Sequence, residues 1–423
     1  MKVDIVIGAG HGDEGKGVTT DWLLPDNPQD KRVIVVRSHG SCQAGHTVEY
    51  ESGRRTIYQH LGSGMARGVP TYLSEQFVVH PMLFRKEFKS FNTLPGVDGE
   101  FFRTPQVFTN SKCLVTTPWD MLINQCMERS RSTERHGSVG IGFGETIERN
   151  LRKNLRLTVR SLRRRSRRRL EQKLIKIRNN WLIERFKNTN FQLNENERSM
   201  YFSPDVLKNF LDDCEFFLMN TAVQGNIFLS SFDHVIFEGA QGLMLDQDYG
   251  KFPYVTRSNT GLKNPMEVIR SLENLNVIEQ IDVYYISRSY ATRHGAGPLP
   301  FELRLPGVVP FSKIEDKTNV LGEWQGSLRF GYLNLDELNL AIRYDINKYA
   351  DKRCKTHGVF TCVDQIGKDD SVFGIFIGEV YNFGKFDYLL NTVSKIFPFD
   401  KIFTSNGPTK NTFRLFTPTP DVL

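Results

Sequence analysis

Short apolar runs alternate with longer amphipathic segments along this chain, and most of the apolar runs end in glycine or polar residues. The first run, Val3 to Ile7, precedes a glycine-rich stretch and then a helix-compatible segment from Val18 to Leu24. Runs of this length and composition predict buried strands. Further strands are predicted at Val33 to Val36, Val235 to Phe237, Val283 to Ile286, Val359 to Thr361, Val372 to Val380 and Lys401 to Thr404.

The amphipathic segments predict helices that would cover a sheet. They span 200–222, 266–276 and 334–350, and residues 149–190 are expected to form a long helical excursion. Alternating strands and helices are typical of α/β proteins with a mostly parallel central sheet. We therefore expect a single large α/β domain over residues 1–423, with helical excursions and a P-loop-like nucleotide site.

Polar or glycine-rich residues follow several predicted strands directly. These segments are 37–47, 238–242 and 287–298. In an open α/β sheet, ligands bind outside the carboxyl ends of the strands. The pattern therefore predicts a nucleotide site at that edge of the sheet.

The stretch after the first strand has the composition of a phosphate-binding loop. Gly10 to Lys16 fits the first seven positions of the P-loop pattern, but Gly17 stands where that pattern has a hydroxyl for Mg²⁺. Backbone N–H groups in such a turn bind anionic oxygens at a helix N-terminus. Asp13 and Glu14 add two acids, and an acid beside bound phosphate either holds metal or accepts a proton. The alternative is a glycine-rich turn without a ligand.

Composition changes this picture little. The chain is 39% hydrophobic and 24% charged, as in ordinary globular proteins, and no apolar run is long enough to span a bilayer. Met1 and Lys2 lead directly into the first strand, so we expect no targeting segment, no membrane contact and a cytoplasmic location. The six cysteines have no CxxC spacing, which favours reduced thiols.

The net charge of +7 comes from one segment. Between Arg149 and Lys187, sixteen Lys or Arg stand against two acids, a local charge of +14 that leaves −7 for the rest of the chain. Apolar residues at roughly helical spacing favour a solvated helix whose arginines cover the other faces. The cluster from Arg163 to Arg169 leaves open a second class of function, a nucleotide-regulated nucleic-acid-binding protein, although we expect nucleic acid not to be the main partner.

Five motifs together resemble the adenylosuccinate synthetase family. They are GDEGKG at 12–17, AGHT at 44–47, EGAQG at 238–242, FPYVTRSNT at 252–260 and TRHGAGPLP at 292–300. That family joins L-aspartate to the 6-position of IMP with GTP. The resemblance implies a C–N ligase of purine biosynthesis that acts through a 6-phosphoryl purine.

The resemblance assigns the chemistry to Asp13, Lys16, His46 and Gln241. Asp13 would remove the N1 proton of the purine, so that O6 attacks the γ-phosphate, and His46 would stabilise the charge that builds on O6 and the phosphoryl group. Lys16 would contact phosphate, and Asp13 with the carbonyl of Gly45 would hold Mg²⁺. Phosphoryl transfer depends mainly on such positioning and charge neutralisation.

The binding sites of the family map onto further positions. The GTP phosphates would contact Gly12, Asp13, Glu14, Gly15, Lys16, Gly17, Gly45, His46 and Thr47. The guanine base would contact Asp364, Ser405, Asn406, Gly407 and Pro408. The purine monophosphate would contact Gln43, Ala44, Ser138, Arg149, Gln241 and Thr256. Aspartate would contact Gln325, Gly326, Ser327 and Arg329.

The identity of the nucleotide donor and that of the phosphate-binding arginine each have an alternative. Asp364 favours GTP, because its carboxylate pairs with N1–H and the 2-amino group of guanine, but Cys362 replaces the lysine of the family and ATP stays possible. Arg149 is our choice for the phosphate-binding arginine that the family contributes across a dimer interface, and Arg152 or Arg156 fits nearly as well. We therefore expect at least a homodimer.

The substrate also stays open between two purines. Ser327 replaces an arginine of the usual aspartate loop, and this loop and Gln43 look more like the phage and archaeal branch, in which some phage members use dGMP to make a 2,6-diaminopurine precursor. Those relatives usually carry a small residue such as serine at the position of Asp13, so Asp13 favours IMP over dGMP or GMP. A phage-encoded member would work in the host cytoplasm. Another amine nucleophile, or a pseudoenzyme, remains the third alternative.

Overall fold

A long sheet runs through the computed structural model, which describes residues 1–28, 31–92, 105–132, 135–187, 191–275, 277–278, 280–303, 314, 324–365, 373–378, 380–384 and 386–418. The strands are β1 Lys2–Gly8, β2 Val33–Arg37, β3 His46–Glu49, β4 Arg55–Tyr58, β5 Thr71–Leu73, β6 Val78–Val79, β7 Val107–Thr109, β8 Leu114–Val115, β9 Ala222–Val223, β10 His234–Glu238, β11 Ile281–Arg288, β12 Ala291–His294, β13 Leu328–Gly331, β14 Leu333–Asn334, β15 Cys354–Thr361, β16 Phe373–Ile377, β17 Val380–Gly384, β18 Lys401–Ser405 and β19 Phe413–Phe416. The helices are α1 Lys16–Leu23, α2 Pro81–Asn92, α3 Pro118–Ser130, α4 Phe143–Asn150, α5 Val159–Arg163, α6 Arg167–Phe186, α7 Glu195–Phe202, α8 Pro204–Met219, α9 Lys263–Arg270, α10 Leu335–Tyr349 and α11 Phe386–Ile396.

The described strands of the main sheet lie in the order β19-β18-β15-β11-β1-β10-β2-β5-β7-β9. All neighbours in this sheet are parallel except β18 and β19. Its central strands are buried on both faces, as in parallel sheets covered by helices, which explains their nearly continuous apolar sequences. One sheet thus takes strands from both ends of the chain, the α/β architecture that the sequence predicts.

The predicted strand from Val372 to Val380 is wrong as a single element. Val372 lies outside the described residues, and the remainder forms β16 and β17, which pair antiparallel. Gly378 lies between them with a φ of 58°, a left-handed conformation that ends β16 and turns the chain. Together with β14 these strands form a separate small sheet beside the main one.

The predicted helices are present with different boundaries. Residues 334–350 contain α10, and 266–276 overlap α9, with residue 276 outside the described part. The segment 200–222 divides between α7 and α8, because Pro204 starts α8 and disfavours a helical conformation at Ser203 before it. In the described part of the chain, no helix is both long and apolar enough to cross a bilayer.

The basic excursion is helical but interrupted. α5 ends at Arg163 and α6 begins at Arg167, while 188–190 lie outside the described residues. The apolar face of α6, including Leu174 and Trp181, is buried in a second core with α2, α3 and α8. Arg167, Arg168 and Arg169 are exposed on the outer faces, as predicted, whereas Arg178 and Arg185 are half-buried.

Candidate functional site

The loop between β1 and α1 folds around the carboxylate of Glu14. This carboxylate accepts hydrogen bonds from the backbone N–H groups of Gly10 at 3.1 Å and Gly12 at 2.7 Å. Lys16 Nζ lies 2.8 Å from the other carboxylate oxygen, and both side chains of this ion pair are buried. Glu14 is thus a neutralised structural acid that holds the loop in shape.

Asp13 differs from Glu14 in that the described residues bind its backbone and not its carboxylate. Its φ of 63° lies in the left-handed region, and its carbonyl accepts a hydrogen bond from Arg288 Nε at 2.5 Å. Thr361 Oγ1 donates to the next carbonyl, that of Glu14, at 2.8 Å. No hydrogen bond or ion pair occupies the Asp13 carboxylate within the described part of the chain. The ends of β11 and β15 therefore fix the backbone and leave this acid available.

Gly17 explains the departure from the P-loop pattern. A Cβ at this position would lie 2.9 Å from the carbonyl oxygen of Thr47 and 3.1 Å from the Cβ of His46. The first turn of α1 packs this closely against the start of β3, so a serine or threonine would not fit without displacement. The absence of a side chain at Gly17 allows His46 to approach the loop.

His46 is held by a carboxylate at the end of β10. Its Nδ1 lies 2.7 Å from Glu238 Oε1, and Ser63 donates to the same carboxylate from its backbone N–H at 3.1 Å and from its hydroxyl. Arg37 Nη1 is 3.6 Å from the other carboxylate oxygen. Since Glu238 is fully buried, this cluster fixes the orientation of the imidazole ring.

The electrostatics of this cluster favour neutral His46 before a ligand binds. Burial and the nearby Arg37 lower the pKa of His46 to about 4, although Glu238 opposes the shift. Burial would raise the pKa of Glu238, but His46 and Arg37 lower it overall. The ionised carboxylate accepts from Nδ1–H, which leaves Nε2 as a buried atom with no protein partner among the described residues.

A cavity of about 340 Å³ opens beside the loop, and we call it the loop cavity. Every residue predicted to contact the GTP phosphates lines it. They are Gly12, Asp13, Glu14, Gly15, Lys16, Gly17, Gly45, His46 and Thr47. The structure therefore brings the GDEGKG and AGHT segments to one space.

A neighbouring cavity of about 360 Å³ is lined by the first turn of α4, and we call it the α4 cavity. Of the residues predicted to bind the purine monophosphate, Gln43, Ser138, Gln241 and Thr256 line it, and Ala44 lines the loop cavity. Gln43 and Gln241 line both, so the two cavities meet there. Both amide atoms of Gln43 and Gln241 Oε1 are buried without protein partners in the described regions, as expected of ligand-binding groups.

The residues predicted for a guanine base follow two paired strands. Asp364 lies just after β15, and Ser405, Asn406, Gly407 and Pro408 begin at the end of β18. Thr361, at the end of β15, binds the loop through Glu14. The structure therefore places both segments at the carboxyl edge of the sheet, next to the loop.

The predicted aspartate loop reaches the junction of the cavities at one residue. Gln325 lines both cavities, and the carbonyl of Gly326 accepts a hydrogen bond from His294 Nε2 at 3.2 Å. Ser327 is exposed. The structure thus brings Gln325 to the junction, whereas the Ser327 side chain lies at the surface.

Arg329 lies in a cationic pair. Its Nη1 is 2.8 Å from Glu302, and its Nη2 donates to two carbonyls of the 295–297 turn. Arg293 is its direct partner across β12 and β13, and burial together with Arg329 lowers the pKa of Arg293 to about 10. Two adjacent guanidinium groups favour an anion, although most of their donors are already bound within the chain.

Arg149 does not reach either cavity, and its predicted role across a dimer interface is wrong. It is fully buried, with Nε 2.8 Å and Nη2 2.9 Å from the two oxygens of Asp120, and it also donates to two backbone carbonyls. Arg152, the first alternative, binds Glu148 and lies over Trp181. Arg156, the second, is exposed.

The carboxylate of Asp13 and the backbone carbonyl of Gly45 are oxygen donors of the kind that a magnesium site requires. Both line the loop cavity. Mg²⁺ keeps several waters and takes one or two carboxylates together with phosphate oxygens. A free carboxylate and a carbonyl beside a phosphate cradle meet that requirement.

Sequence reasoning missed the charged residues that support the site. Arg37, Glu238 and Arg288 are the last residues of β2, β10 and β11, and all three are buried. A charged residue at the end of an otherwise apolar strand is the sequence signal that identifies them. Glu238 is also the first residue of the EGAQG motif.

The sequence comparisons agree with the motifs. The sequence model of the family described as adenylosuccinate synthetase matches residues 5–359. The adenylosuccinate synthetase of Parabacteroides distasonis is 30% identical over 357 residues, which cover 81% of this chain and 75% of the relative. That of Porphyromonas gingivalis is 30% identical over 358 residues, covering 82% and 75%.

Two solved structures share the fold. The fully ligated adenylosuccinate synthetase from Plasmodium falciparum has a TM-score of 0.70 at 18% identity, covering 98% of this chain and 100% of that one. The succinoaminodeoxyadenylate synthetase of cyanophage S-2L, bound to dGMP and to dATP as an energy donor, has a TM-score of 0.58 at 14% identity, covering 98% and 95%. At these identities the likeness concerns the fold alone.

Arg149→Ala is expected to destabilise the protein by about 3–5 kcal/mol, because it leaves the buried carboxylate of Asp120 without its partner. Urea unfolding measures this loss. Lys153→Ala, an exposed cation of the same segment, is the control and should change stability by less than about 0.5 kcal/mol. A stable Arg149→Ala protein that has lost affinity for purine monophosphates would instead restore the predicted phosphate role.

His46 is expected to stay neutral in the ligand-free protein until the pH falls to about 4. Its folded-state pKa lies below the unfolded value of about 6.5, so its contribution to stability is complete above that pH and is lost as the pH falls towards 4. NMR of the imidazole nitrogens measures the titration. Glu238→Gln removes the opposing charge and should lower the pKa further, whereas the control Glu49→Gln should not. If the His46 imidazole titrated near pH 6.5 instead, the predicted lowering of its pKa would be wrong.

Proposed function

The chain belongs to the adenylosuccinate synthetase family, a family of C–N ligases, and from this premise we propose that it joins L-aspartate to the 6-position of IMP with GTP as phosphoryl donor. The observation that carries this proposal is the junction of the loop cavity and the α4 cavity at Gln43 and Gln241. A phosphoryl donor on one side and a purine monophosphate on the other would meet at this point. Family membership also favours the ligase over a nucleic-acid-binding protein.

In the first step, Asp13 accepts the N1 proton of the purine. The electrons of the N1–H bond move through the ring to O6, which attacks the γ-phosphorus, and GDP leaves with the bridging oxygen. The Asp13 carboxylate suits this role because it lines the loop cavity and has no partner in the described chain, unlike Glu14. A general base must first lie within hydrogen-bonding reach of the proton that it removes.

His46 and Lys16 neutralise the charge that moves in this step. Neutral His46 presents an unprotonated Nε2, so it takes up a proton as the anionic phosphates bind and then donates from Nε2. Glu238 accepts from Nδ1 and stabilises the imidazolium that forms. Lys16 lies in the same cavity and exchanges part of its contact with Glu14 for phosphate oxygens.

Asp13 and the Gly45 carbonyl would hold Mg²⁺, which when bound supplies further neutralisation of the phosphate charge. The remaining cationic surroundings come from the chain itself. Arg288 holds the Asp13 carbonyl and so keeps the carboxylate directed to the cavity. The family uses GTP and Mg²⁺ in general, and their use by this chain is part of the proposal.

In the second step, the amino group of aspartate attacks C6. The C6–N bond forms, the C6–O bond breaks, phosphate leaves and the amine loses a proton, giving the succino-purine. We propose that Gln325 and the cationic pair of Arg293 and Arg329 receive the aspartate carboxylates. Charge-assisted contacts of this kind bind carboxylates strongly, and Arg329 Nε is buried without a protein partner in the described regions.

We propose IMP as the purine nucleotide because of the position of the Asp13 carboxylate. A carboxylate beside N1 suits hypoxanthine, which has only hydrogen at C2, and would crowd a 2-amino group. The resemblance of the Gln325 to Gly331 loop to the phage branch favours dGMP as the second candidate. Asp364, at the edge beside the loop, favours GTP over ATP as donor.

Asp13→Asn is expected to reduce kcat by about 10²–10⁴-fold, because it removes the base while asparagine tolerates the left-handed backbone at this position. Aspartate-dependent GDP release measures kcat, and nucleotide binding measured separately should be partly retained. Asp26→Asn, an exposed acid, is the control. Near-normal turnover of Asp13→Asn would contradict the base assignment.

Assays with IMP, dIMP, GMP and dGMP, each with aspartate and either GTP or ATP, are expected to give the highest kcat/KM with IMP and GTP. Aspartate-dependent phosphate release gives the rate, and mass spectrometry identifies the succino-product. Turnover with dGMP alone would make the 2-amino purine the substrate. Turnover with another amino acid but not with aspartate would contradict the assignment of aspartate as the nucleophile.

A further inference from the structure

Five exposed arginines form a surface where α5 meets α6, and we call it the basic corner. They are Arg160, Arg163, Arg164, Arg168 and Arg169. The sequence has no acid between Arg149 and Leu170. Arg167 binds Asp212 and Glu215 of α8, whereas the five have no ion pair or side-chain hydrogen bond among the described residues. The basic corner is therefore not neutralised by the chain that carries it.

The basic corner is a fixed part of the fold. The backbone N–H of Val159 donates to the carbonyl of Cys113 at 3.0 Å and so ties the start of α5 to the region after β7. Leu162 and Leu170, on the two sides of the turn between the helices, are buried in the second core. The guanidinium groups are thus presented from a folded surface.

Local helix energetics disfavour this concentration of charge. Arg160 and Arg163 are three positions apart in α5, and Arg169 and Lys173 are four apart in α6. Like charges at these spacings destabilise a helix. The first turn of α6 has no acid, although the helix dipole favours acids there. Burial together with Arg165 lowers the pKa of Lys173. A bound polyanion would relieve this repulsion.

The basic corner lacks the apolar side chains that other anionic partners require. The described residues 152–182 expose no large hydrophobic side chain. Specific protein interfaces have an apolar centre, and a helix on a membrane inserts an apolar face. Single-stranded nucleic acids stack on exposed aromatic rings, but Trp181, the one aromatic residue of this range, is buried. These features favour the phosphate backbone of a duplex.

The choice of arginine and the charge of the rest of the chain agree with such a partner. A guanidinium group binds phosphate through two parallel hydrogen bonds, which the ammonium of lysine cannot do. Since the chain outside 149–187 carries a net charge of −7, the positive field is concentrated on one segment. A field of this kind attracts a polyanion to one surface of the protein.

The basic corner is separate from the proposed ligase site. None of its five arginines lines the loop cavity or the α4 cavity, whereas Arg185 near the other end of α6 lines the α4 cavity. At about 1.5 Å per residue, the helix places Arg169 about 24 Å from Arg185 along its axis. A ligand at the corner therefore leaves both cavities open.

We propose that the basic corner binds the phosphate backbone of duplex nucleic acid, independently of base sequence, as a second function beside the proposed ligase reaction. Each guanidinium group contacts a phosphate and releases counterions, so binding weakens steeply as salt rises. The proposal does not depend on the ligase activity.

Fluorescence anisotropy of the full chain with a labelled DNA duplex of about 20 base pairs tests the proposal. Affinity should fall about 10²–10³-fold between about 50 and 200 mM salt, as expected for about five phosphate contacts. Two duplexes of different sequence should bind equally. The corner variant, with Arg163→Gln, Arg164→Gln, Arg168→Gln and Arg169→Gln, should bind about 10-fold or more weakly at low salt. Its plot of log affinity against log salt should be less steep by about 3 to 4.

A charge-matched control separates the corner from net charge. It carries Lys86→Gln, Lys352→Gln, Lys355→Gln and Lys401→Gln, four exposed cations elsewhere in the chain, and should bind the duplex like the wild type. Equal losses in the two variants, or wild-type binding by the corner variant, would overturn the proposal. Urea unfolding should find the corner variant at least as stable as the wild type, because like-charge repulsion is removed.

Competitors identify the partner. An unlabelled duplex, of DNA or of RNA, should compete better than a single strand of the same length, phosphatidylserine vesicles or polyglutamate, and comparing the two duplexes names the source of the phosphates. Stronger competition by the single strand, the vesicles or the peptide would overturn the proposal.

Ligase substrates test the separation of the two sites. IMP and GTP should not displace the duplex, and the corner variant should release GDP with aspartate at the wild-type rate. Displacement by either nucleotide would place the duplex in the cavities and overturn the proposal. Duplex binding at the corner without any aspartate-dependent GDP release would contradict the proposed function and support the basic corner.

Discussion

The buried carboxylate of Glu238 is the interaction on which the arrangement of this site depends. It ends β10 and binds His46 from β3, Ser63 and Arg37. Three segments within residues 37–63 are thereby fixed around one buried anion, from which Ser63 and His46 are separated by 175 and 192 residues of sequence. A buried carboxylate is stable only when such partners surround it. The need to satisfy Glu238 therefore explains both the orientation of His46 and the packing of Ser63 and Arg37 around it.

The parallel sheet supplies the second constraint. Because β2, β10, β1 and β11 are parallel neighbours, their carboxyl ends meet at one edge, and the loops that follow them share one space. Close packing then decides which residues these loops can carry. Gly17 is needed where β3 meets α1, and Gly242 lies so close that a Cβ would be 2.3 Å from the carbonyl oxygen of Gly10.

The sequence was informative where the signal was local. The central strands, the loop after β1 and the polar segments after the strands follow from short patterns, and the structure brings the GTP-phosphate residues into one cavity as expected. Arg149 could not be placed in this way, because its burial depends on Asp120, 29 residues away. Arg185 was equally hidden, since its partner Glu145 lies 40 residues earlier. In a segment with so many arginines, only tertiary contacts show which carboxylate each cation binds.

Two acids in a phosphate cradle would repel the ligand unless their environments differed. Glu14 is neutralised by Lys16 and by two backbone N–H groups, so it adds little negative charge to the cavity. Asp13 is left without such partners, and Arg288 and Thr361 bind only the backbone around it. Neighbouring titratable groups with different surroundings take different roles. The fold therefore makes Glu14 the acid that shapes the loop and leaves Asp13 as the acid that can exchange a proton or bind a cation beside the phosphates.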